Sequence, residues 1–367
     1  MMKRILNKWF VLVLITCMTV MVSNAQKGKF RLAIDGLSHG HVVWVFKNVD
    51  TTKIDIVGIA EPNRELAERM ARKYKFSMDL VYDSLDELID KVKPEAVAAF
   101  NSTYEHLETV EVCAPKGIHV MVEKPLAVNL EHADKIVSLA KKNNIHVITN
   151  YETTWYPSNA FIKNMVEGDR IGEIRRIIVN NGHKGPQEIN VNKEFLGWLT
   201  DPELNGGGAI TDFGCYGANL ILWLKKGEMP TYVYATSHTF KPKKYPRVDD
   251  DATILLDFKD CQGVIQPSWN WPYSRKDIEV YGENGYVIAK NKENVNYRFG
   301  ESQELTQKVT DLEISHTNPF NYFKAVVRGE IQIGIMDLSG LRNNYNVIKL
   351  LDAARLSAAE GRKIEIN

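Results

Sequence analysis

Apolar strands alternate with amphipathic helices from residue 30 to residue 151, and this rhythm limits what the chain can form. The clearest helix spans Asn63–Tyr74, where Asn63 can cap the first turn and Glu65 can pair with Arg69 one turn on. Strands joined by helices run parallel and are covered on both faces. The sequence therefore predicts a doubly wound parallel sheet, with strands at Phe30–Asp35, Ile54–Ala60, Leu80–Tyr82, Ala96–Asn101, His119–Glu123 and His146–Asn150.

The pattern changes after residue 151, where strands follow one another without helices between them. Such strands form a mostly antiparallel sheet with helices on one face, here closed by two C-terminal helices. We predict strands at Tyr232–His238, Ala252–Phe258, Gly263–Trp269, Asp277–Tyr281 and Gly285–Ala289. The fold class expected is an α/β domain at 26–150 followed by an α/β domain with a large mostly antiparallel sheet at 151–367.

The first 25 residues have the pattern of a secretory signal. Lys3, Arg4 and Lys8 precede an apolar run, and Ser23-Asn24-Ala25 offers a small-residue cleavage site. A membrane anchor is the alternative, but the run is shorter than the roughly 20 residues that a spanning helix needs. We expect cleavage near Ala25, export to the periplasm and no membrane attachment afterwards.

Charge and cysteine content exclude several classes of protein. The 46 basic residues balance the 46 acidic residues, so nothing favours nucleic-acid binding. Beyond the leader only Cys113, Cys215 and Cys261 remain, too few for a disulfide scaffold, and we expect them to be buried. The acidic run at 249–251 is expected to be a solvated loop.

The turn after the first strand is a degraded dinucleotide fingerprint. Its candidate cofactor ligands are Gly36, Ser38, His39, Gly40 and His41, of which only Gly36 stands at a fingerprint glycine. The helix N-terminus that follows can still bind a pyrophosphate. The two histidines have no third metal ligand nearby in the sequence, so no metal is predicted.

Polar residues end the second and fourth strands of the predicted sheet. Glu61 can accept hydrogen bonds from the adenosine ribose and repel a 2′-phosphate, although it also suits a helix start. Arg64 could stack on adenine or admit NADP, so NAD is preferred and NADP is the second option. Asn101, Ser102 and His106 would line the nicotinamide end, although Ser102 or Thr103 could simply cap the helix that holds His106.

The fifth strand ends in Glu123-Lys124-Pro125, which places a lysine and an acid at the carboxyl end of a buried strand. Open α/β sheets bind ligands at this edge. Desolvation lowers the pKa of a lysine and a nearby carboxylate raises it, so Lys124 can serve as a tunable proton donor.

A second group of polar residues follows Gly206-Gly207-Gly208 in the other domain. Asp212, Tyr216 and Asn219 are spaced to share one face of a largely apolar helix, which makes a poor core and a good sugar site. Further candidates for substrate contact are Tyr151 at the domain boundary and the loop residues His183 and Lys184.

Together, Val122-Glu123-Lys124-Pro125 and Gly206-Gly207-Gly208 with Asp212, Gly214 and Tyr216 resemble the Gfo/Idh/MocA oxidoreductase family over nearly the whole mature chain. The resemblance implies a Rossmann domain that binds NAD or NADP, with Glu123 and Lys124 at the cofactor and a cis bond before Pro125. It also implies a sugar or cyclitol substrate and a homo-oligomer, a dimer or tetramer, formed through the second sheet. Tyr216 replaces a common histidine, as in the exported glucose–fructose oxidoreductase branch.

The expected reaction is hydride transfer from a sugar carbinol to the nicotinamide. Tyr216 would be the general base, Lys124 would lower the pKa of the Tyr216 phenol, and Asp212 would position lysine or substrate. One alternative is a redox-neutral enzyme that cleaves, epimerises or eliminates from a glycoside with tightly bound, recycled NAD. The other is a non-catalytic carbohydrate-binding homologue.

Overall fold

A computed structural model describes residues 28–310 and 316–366 of the protein. The predicted leader at 1–25 lies outside the described residues. Within them, no helix has the length and apolarity that crossing a membrane requires.

The first domain is a six-stranded parallel sheet in the order β3-β2-β1-β4-β5-β6. Its strands are β1 (Phe30–Asp35), β2 (Ile54–Ala60), β3 (Val81–Tyr82), β4 (Ala96–Ala99), β5 (His119–Glu123) and β6 (Val147–Asn150). Its helices are α1 (Val43–Asn48), α2 (Arg64–Tyr74), α3 (Leu85–Val92), α4 (His106–Cys113) and α5 (Leu130–Asn143). The predicted parallel sheet is confirmed. Asn63 caps α2 as expected, because its side chain accepts from the Leu66 N–H.

The second domain is built on a nine-stranded sheet in the order β14-β13-β12-β11-β7-β10-β9-β8-β15. Its strands are β7 (Ile174–Gly182), β8 (Tyr232–His238), β9 (Asp251–Asp257), β10 (Gln262–Ser268), β11 (Arg275–Gly282), β12 (Gly285–Ala289), β13 (Asn294–Phe299), β14 (Leu305–Lys308) and β15 (Ile364–Glu365). β7 and β10 pair in parallel and their other neighbours are antiparallel, so the mostly antiparallel sheet is confirmed. β13 and β14 were not predicted.

The helices after residue 151 are α6 (Pro157–Glu167), α7 (Lys193–Leu199), α8 (Ala209–Asp212), α9 (Gly214–Leu224), α10 (Pro319–Val327) and α11 (Leu341–Glu360). Of these, α6, α8, α9 and α11 pack against strands of the second sheet. The sequence reading missed α7, which is short and is capped by the Asn192 side chain. It also merged α8 and α9, which separate at Phe213.

The C-terminal helices do not all belong to the second domain. Phe320 and Phe323 of α10 are fully buried in one apolar cluster with Phe30 and Ile34 of β1. The apolar face of α10, which follows the predicted boundary at residue 150 in the chain, therefore covers the first sheet. The order of elements along the chain did not indicate that α10 packs against the first sheet.

Candidate active site

A buried ion pair joins the two domains at the carboxyl end of β5. The Lys124 ammonium contacts the Asp212 carboxylate, and the side chains are only 6% exposed for Lys124 and 5% for Asp212. Burial lowers the pKa of Lys124, but Asp212, with smaller contributions from Cys215 and Glu123, raises that pKa above its usual value overall. Burial likewise raises the pKa of Asp212, and Lys124 lowers it overall. The pair is therefore ammonium and carboxylate at neutral pH.

Neighbouring side chains hold this pair in place. The Trp269 indole N–H donates to Asp212 Oδ2 at 2.9 Å. The peptide bond before Pro125 is cis, as the family resemblance implied. On the far side of that bond, His106 Nδ1 lies 3.1 Å from the Pro125 carbonyl and 3.3 Å from that of Leu126. His106 thus supports the lysine turn.

The glycine run positions Asp212 because its backbone packs against the start of β9. The Gly208 N–H donates to Asp249 Oδ1 at 3.0 Å and the Ile210 N–H to Oδ2 at 2.7 Å. A carboxylate at this helix start satisfies N–H groups that have no partner within the helix. Asp250 is also fully buried and accepts from the backbone of Phe240 and Lys241. The expectation of a solvated acidic loop was wrong.

Tyr216 is almost fully buried beside the ion pair. Lys124 Nζ lies 5.3 Å from the centre of its ring, and Lys276 Nζ lies 5.1 Å from it. Burial, and then the Glu152 carboxylate, raise the pKa of Tyr216 well above its usual value. The phenol is therefore neutral, because desolvation outweighs any lowering of its pKa by Lys124.

A second lysine–carboxylate pair stands near the same ring. The Lys276 ammonium on β11 contacts Glu152, whose other oxygen accepts from the Tyr156 hydroxyl. Burial raises the pKa of Glu152, but Lys276 and Tyr156 lower it to about 2. Both side chains are partly exposed, at 20% for Lys276 and 31% for Glu152. Two ammonium–carboxylate pairs therefore lie near the Tyr216 ring: Lys124–Asp212 and Lys276–Glu152.

The remaining predicted substrate residues divide into those near the ion pair and those elsewhere. His183 packs edge-on against Phe213, and burial lowers its pKa to about 4 despite the nearby Asp212. Lys184 is exposed on the same loop. Tyr151 is fully buried and meets the Tyr216 ring edge-on at 5.3 Å.

Asn219 lies apart from this group. Its side-chain amide donates to the Leu338 carbonyl at 2.8 Å and binds Asn344, so it ties α9 to the start of α11. The break at Phe213 changes the helical phase that the sequence reading assumed. The structure thus gives no support to substrate contact by Asn219.

The turn after β1 retains features of a nucleotide site. Gly36 has φ +79°, and a Cβ there would lie 2.8 Å from that of Asn101. His39 is 1% exposed, and its Nδ1 accepts from the His41 N–H, which puts the ring proton on Nε2. That Nε2 has no hydrogen-bond partner among the described residues. A buried donor in this turn suits an anionic ligand such as a pyrophosphate.

The fold also brings a third ligand-type group to the two histidines. Glu123 Oε2 lies 2.9 Å from His41 Nδ1, and His39, His41 and Glu123 offer atoms within 4.8 Å of one another. The sequence reading did not foresee this cluster. A metal at His39 Nε2 would require the ring proton to move to Nδ1, which would break the hydrogen bond from the His41 N–H. Burial raises the pKa of Glu123, but His41, His39 and Asn150 lower it to about 2.

The adenosine end of the predicted site is an acidic crevice. Glu61 is 6% exposed, and its carboxylate accepts from the backbone of Leu37 and Asn63 at 2.8 Å each. Beside it, a cavity of about 190 Å³ lies between the ends of β2 and β4. Five carboxylates line this cavity, namely Asp35, Asp83, Asp86, Glu105 and Glu108.

The other predicted cofactor residues have partners within the protein. Asn101 donates to Asp35 Oδ2 at 3.0 Å, while its Oδ1 is buried without a partner in the described residues. Ser102 binds the Glu105 carboxylate, so it does not cap α4 as one reading supposed. Arg64 is exposed and pairs with Glu68 along α2.

The unpredicted helix α7 covers the nucleotide turn from the second domain. The Trp198 indole N–H donates to Ser38 Oγ at 3.1 Å, and the Asn192 amide donates to the Ser38 carbonyl at 3.2 Å. The Phe195 ring packs on His39 at 4.7 Å, and Arg69 of α2 binds Glu194 at 2.8 Å. A ligand held by this turn would be enclosed by both domains.

These features fit a dinucleotide. Gly36 supplies the tight turn, His39 Nε2 is a buried donor without a protein partner, and Glu61 ends β2 where a ribose binds. The sequence reading located each of these residues. It missed Glu152, Lys276 and α7, because their positions depend on sheet register and domain packing. The one sequence feature that could have indicated Glu152 is its position next to Tyr151, a predicted substrate residue.

Comparison with known proteins places this geometry in a family. A model of the oxidoreductase family with an NAD-binding Rossmann fold matches residues 30–151, and the Gfo/Idh/MocA C-terminal domain model matches residues 160–288. Among curated proteins, the chain is 26% identical over 255 residues to a myo-inositol 2-dehydrogenase of Thermotoga maritima, covering 68% of this chain and 70% of that enzyme.

Solved structures share the architecture. An aldose-aldose oxidoreductase from Caulobacter crescentus has a TM-score of 0.76 at 19% identity, covering 92% of this chain and 100% of that one. An inositol dehydrogenase homologue from Azotobacter vinelandii, solved with NAD+, has a TM-score of 0.77 at 16% identity, covering 93% and 98%. The chain therefore belongs to the Gfo/Idh/MocA family of oxidoreductases and carries its NAD-binding Rossmann domain.

Proposed function

We propose that this protein transfers hydride between a sugar or polyol hydroxyl carbon and NAD. The observation that carries the proposal is the buried Lys124–Asp212 pair beside Tyr216, at the carboxyl end of the parallel sheet. Relatives named as inositol dehydrogenase and aldose-aldose oxidoreductase support the substrate class.

Each residue of the site has a proposed role that follows from its charge and position. Gly36, His39 and Glu61 would hold the dinucleotide, and NAD when bound supplies the hydride acceptor. Lys124 keeps an ammonium proton near the sugar oxygen and stabilises negative charge that develops there. Asp212 and Trp269 fix the direction of that ammonium. Tyr216, neutral in the resting protein, would give its proton to the oxygen during carbonyl reduction; in the oxidation direction it would first release that proton to solvent and then accept the hydroxyl proton.

Tyr216→Phe tests this assignment. We expect NAD content to be unchanged and the single-turnover reduction of bound NAD by the active sugar to slow by about 10²–10⁴-fold, the usual contribution of a general acid or base. A panel of sugars and polyols followed by absorbance at the NADH band identifies that sugar. Tyr234→Phe, at an exposed tyrosine of β8, is the matched control. An unchanged rate in Tyr216→Phe would remove Tyr216 from the reaction, and a protein that binds no NAD would favour the non-catalytic carbohydrate binder.

The acidic crevice predicts a cofactor preference. A 2′-phosphate beside the four exposed carboxylates of this cavity, Asp83, Asp86, Glu105 and Glu108, is repelled, so we expect NADP to bind at least about tenfold more weakly than NAD. Asp83→Arg should reduce the preference for NAD over NADP, because Asp83 is an exposed residue that lines the acidic crevice. Titration calorimetry with both dinucleotides measures it. Glu301→Arg, on a fully exposed residue, makes the same charge change far from the crevice, and an equal effect there would contradict the local explanation.

A redox-neutral reaction is a second candidate, and the cover formed by α7 favours it. Free NAD is scarce outside the cytoplasm, and the N-terminal pattern predicts export to the periplasm. A cofactor enclosed by Trp198, Phe195 and Asn192 could be retained and recycled within each turnover. Turnover without added NAD, with NAD still bound after gel filtration, would support this candidate.

Homo-oligomer formation through the outer face of the second sheet stays a prediction.

A further inference from the structure

A cavity of about 240 Å³ at the junction of the two domains has no role in the proposed mechanism. Its walls come from α1, from the segment between β6 and α6, from the turn between β12 and β13, and from the start of α10. This volume is far above the roughly 10–15 Å³ that a single water molecule needs. The cavity is therefore large enough to hold an organic group.

Trp44 on α1 forms an aromatic wall of this cavity and is held in one orientation. The His41 imidazole stacks on its indole, with ring centres 4.0 Å apart and planes 11° from parallel. His41 is fixed in turn by Glu123, whose Oε2 lies 2.9 Å from His41 Nδ1. The rest of the partly exposed indole lines the cavity. Because the face of an aromatic ring carries negative charge, Trp44 attracts the weakly positive C–H groups of a sugar ring.

Two more aromatic residues line the cavity, and their polar atoms already have partners. The Trp155 indole N–H donates to Asn150 Oδ1 at 3.0 Å, and the Tyr156 hydroxyl donates to Glu152. Aromatic side chains whose polar ends are bonded within the protein present mainly apolar surface to a ligand. These two rings therefore extend the apolar wall that Trp44 begins.

Polar side chains complete the lining. Asn48 and Lys292 are exposed, and Glu152 is 31% exposed. The amide, the ammonium and the carboxylate together offer hydrogen-bond donors and acceptors. Aromatic walls with a few polar groups are the usual composition of a small-molecule site. A sugar ring matches this composition, because it has C–H groups on its faces and hydroxyl groups around its edge.

The cavity adjoins the reacting groups. The Glu152 carboxylate lines the cavity and also contacts the Lys276 ammonium, which lies 5.1 Å from the centre of the Tyr216 ring. Trp44 reaches the same region through His41. One molecule can therefore occupy the cavity and the site of hydride transfer together.

We propose that the cavity lined by Trp44, Trp155 and Lys292 binds the second sugar ring of a glycoside whose first ring is oxidised beside Lys124. The subsite deepens the proposed function, on which it rests, by specifying a glycoside in preference to a free sugar. A free monosaccharide leaves this cavity to water and gains no stacking on Trp44. The glycosidic bond stays intact, and the hydride transfer itself is unchanged.

Calorimetry on NAD-saturated protein tests the inference with D-glucose, maltose, cellobiose and trehalose as probes. The three disaccharides add a second glucose ring through different linkages. We expect at least one of them to bind at least about tenfold more tightly than D-glucose, because the second ring stacks in the cavity. If no disaccharide binds more tightly than D-glucose, the inference is overturned.

Variants of the lining locate the second ring. Trp44→Ala should reduce the advantage of the disaccharide over D-glucose by about tenfold. Lys292→Met, at an exposed residue, should reduce it by about threefold without loss of folding. Phe240→Ala is the matched control, because this aromatic residue is 62% exposed and does not line the cavity. An advantage that survives both Trp44→Ala and Lys292→Met would place the second ring elsewhere and overturn the inference.

The same samples separate this inference from the proposed function. Binding of a disaccharide that depends on Trp44, without reduction of NAD, would support the subsite and contradict hydride transfer for that sugar. Reduction of NAD by D-glucose, with no tighter binding of any disaccharide, would support hydride transfer and overturn the subsite. Absorbance at the NADH band gives the second readout.

Discussion

Lys124→Met should slow hydride transfer to bound NAD by about 10³-fold, the loss that follows removal of one donor at a developing oxyanion. Methionine keeps much of the length and apolar stem of lysine but cannot hold positive charge beside the sugar oxygen. Lys124 is 6% exposed, so water does not replace the missing ammonium. Single-turnover reduction of bound NAD, followed by absorbance, measures the effect.

The same substitution leaves the Asp212 carboxylate buried without its cation. We expect a loss of about 3–5 kcal/mol in the free energy of unfolding, as when one partner of a buried pair is removed. Lys124→Met combined with Asp212→Asn should recover most of the stability and none of the rate, which separates folding from chemistry. Lys116→Met, at a lysine that pairs with Asp86 and Asp90 on the surface, is the control and should change neither quantity much. A double variant with restored activity would exclude Lys124 from the reaction.

Gly208→Ala should lower the free energy of unfolding by about 3 kcal/mol, because an added Cβ would lie 1.8 Å from the Asp249 carbonyl oxygen. The clash forces Gly208 away from Asp249, which breaks the hydrogen bonds at the start of α8. Asp212 moves with this turn, because its N–H donates to the Gly208 carbonyl at 2.9 Å. A displacement of about 1 Å at a reacting group can cost 10²-fold in rate.

Chemical denaturation and the single-turnover assay measure the two effects of Gly208→Ala. Gly197→Ala is the matched control, since a Cβ there meets no atom within 4 Å and alanine favours the α7 helix. We expect Gly197→Ala to keep or slightly raise stability. Equal stability of the two variants would contradict the close backbone contact at Gly208.

Much of the first domain followed from sequence pattern. The bounds of β1, β2 and β5 match the predicted strands, because each is a short apolar run between clear turn residues. Lys124 at the end of β5 was placed correctly for the same reason. In the second domain, Asn294–Phe299 and Leu305–Lys308 were missed, since their alternation is weak and their side chains are partly exposed.

Candidate ligands were harder to predict than strands. Asp212 and Tyr216 were expected to share one helix with Asn219, but the chain breaks at Phe213 and Asn219 joins the core. Tyr216 was expected to be a ready base, whereas burial keeps its phenol neutral. A pKa depends on the surroundings of a group in three dimensions, which a motif does not contain.

The doubly wound sheet, the lysine at its carboxyl edge and the glycine turn that precedes Asp212 could all be predicted from the amino-acid sequence. These are local properties, set by hydrophobic period and by the few residues that tolerate tight turns. The position of Lys276 beside Tyr216 and the cover of Ser38 by α7 follow only from the tertiary fold. Those contacts join residues far apart in the chain, and strand register and domain packing alone bring them together.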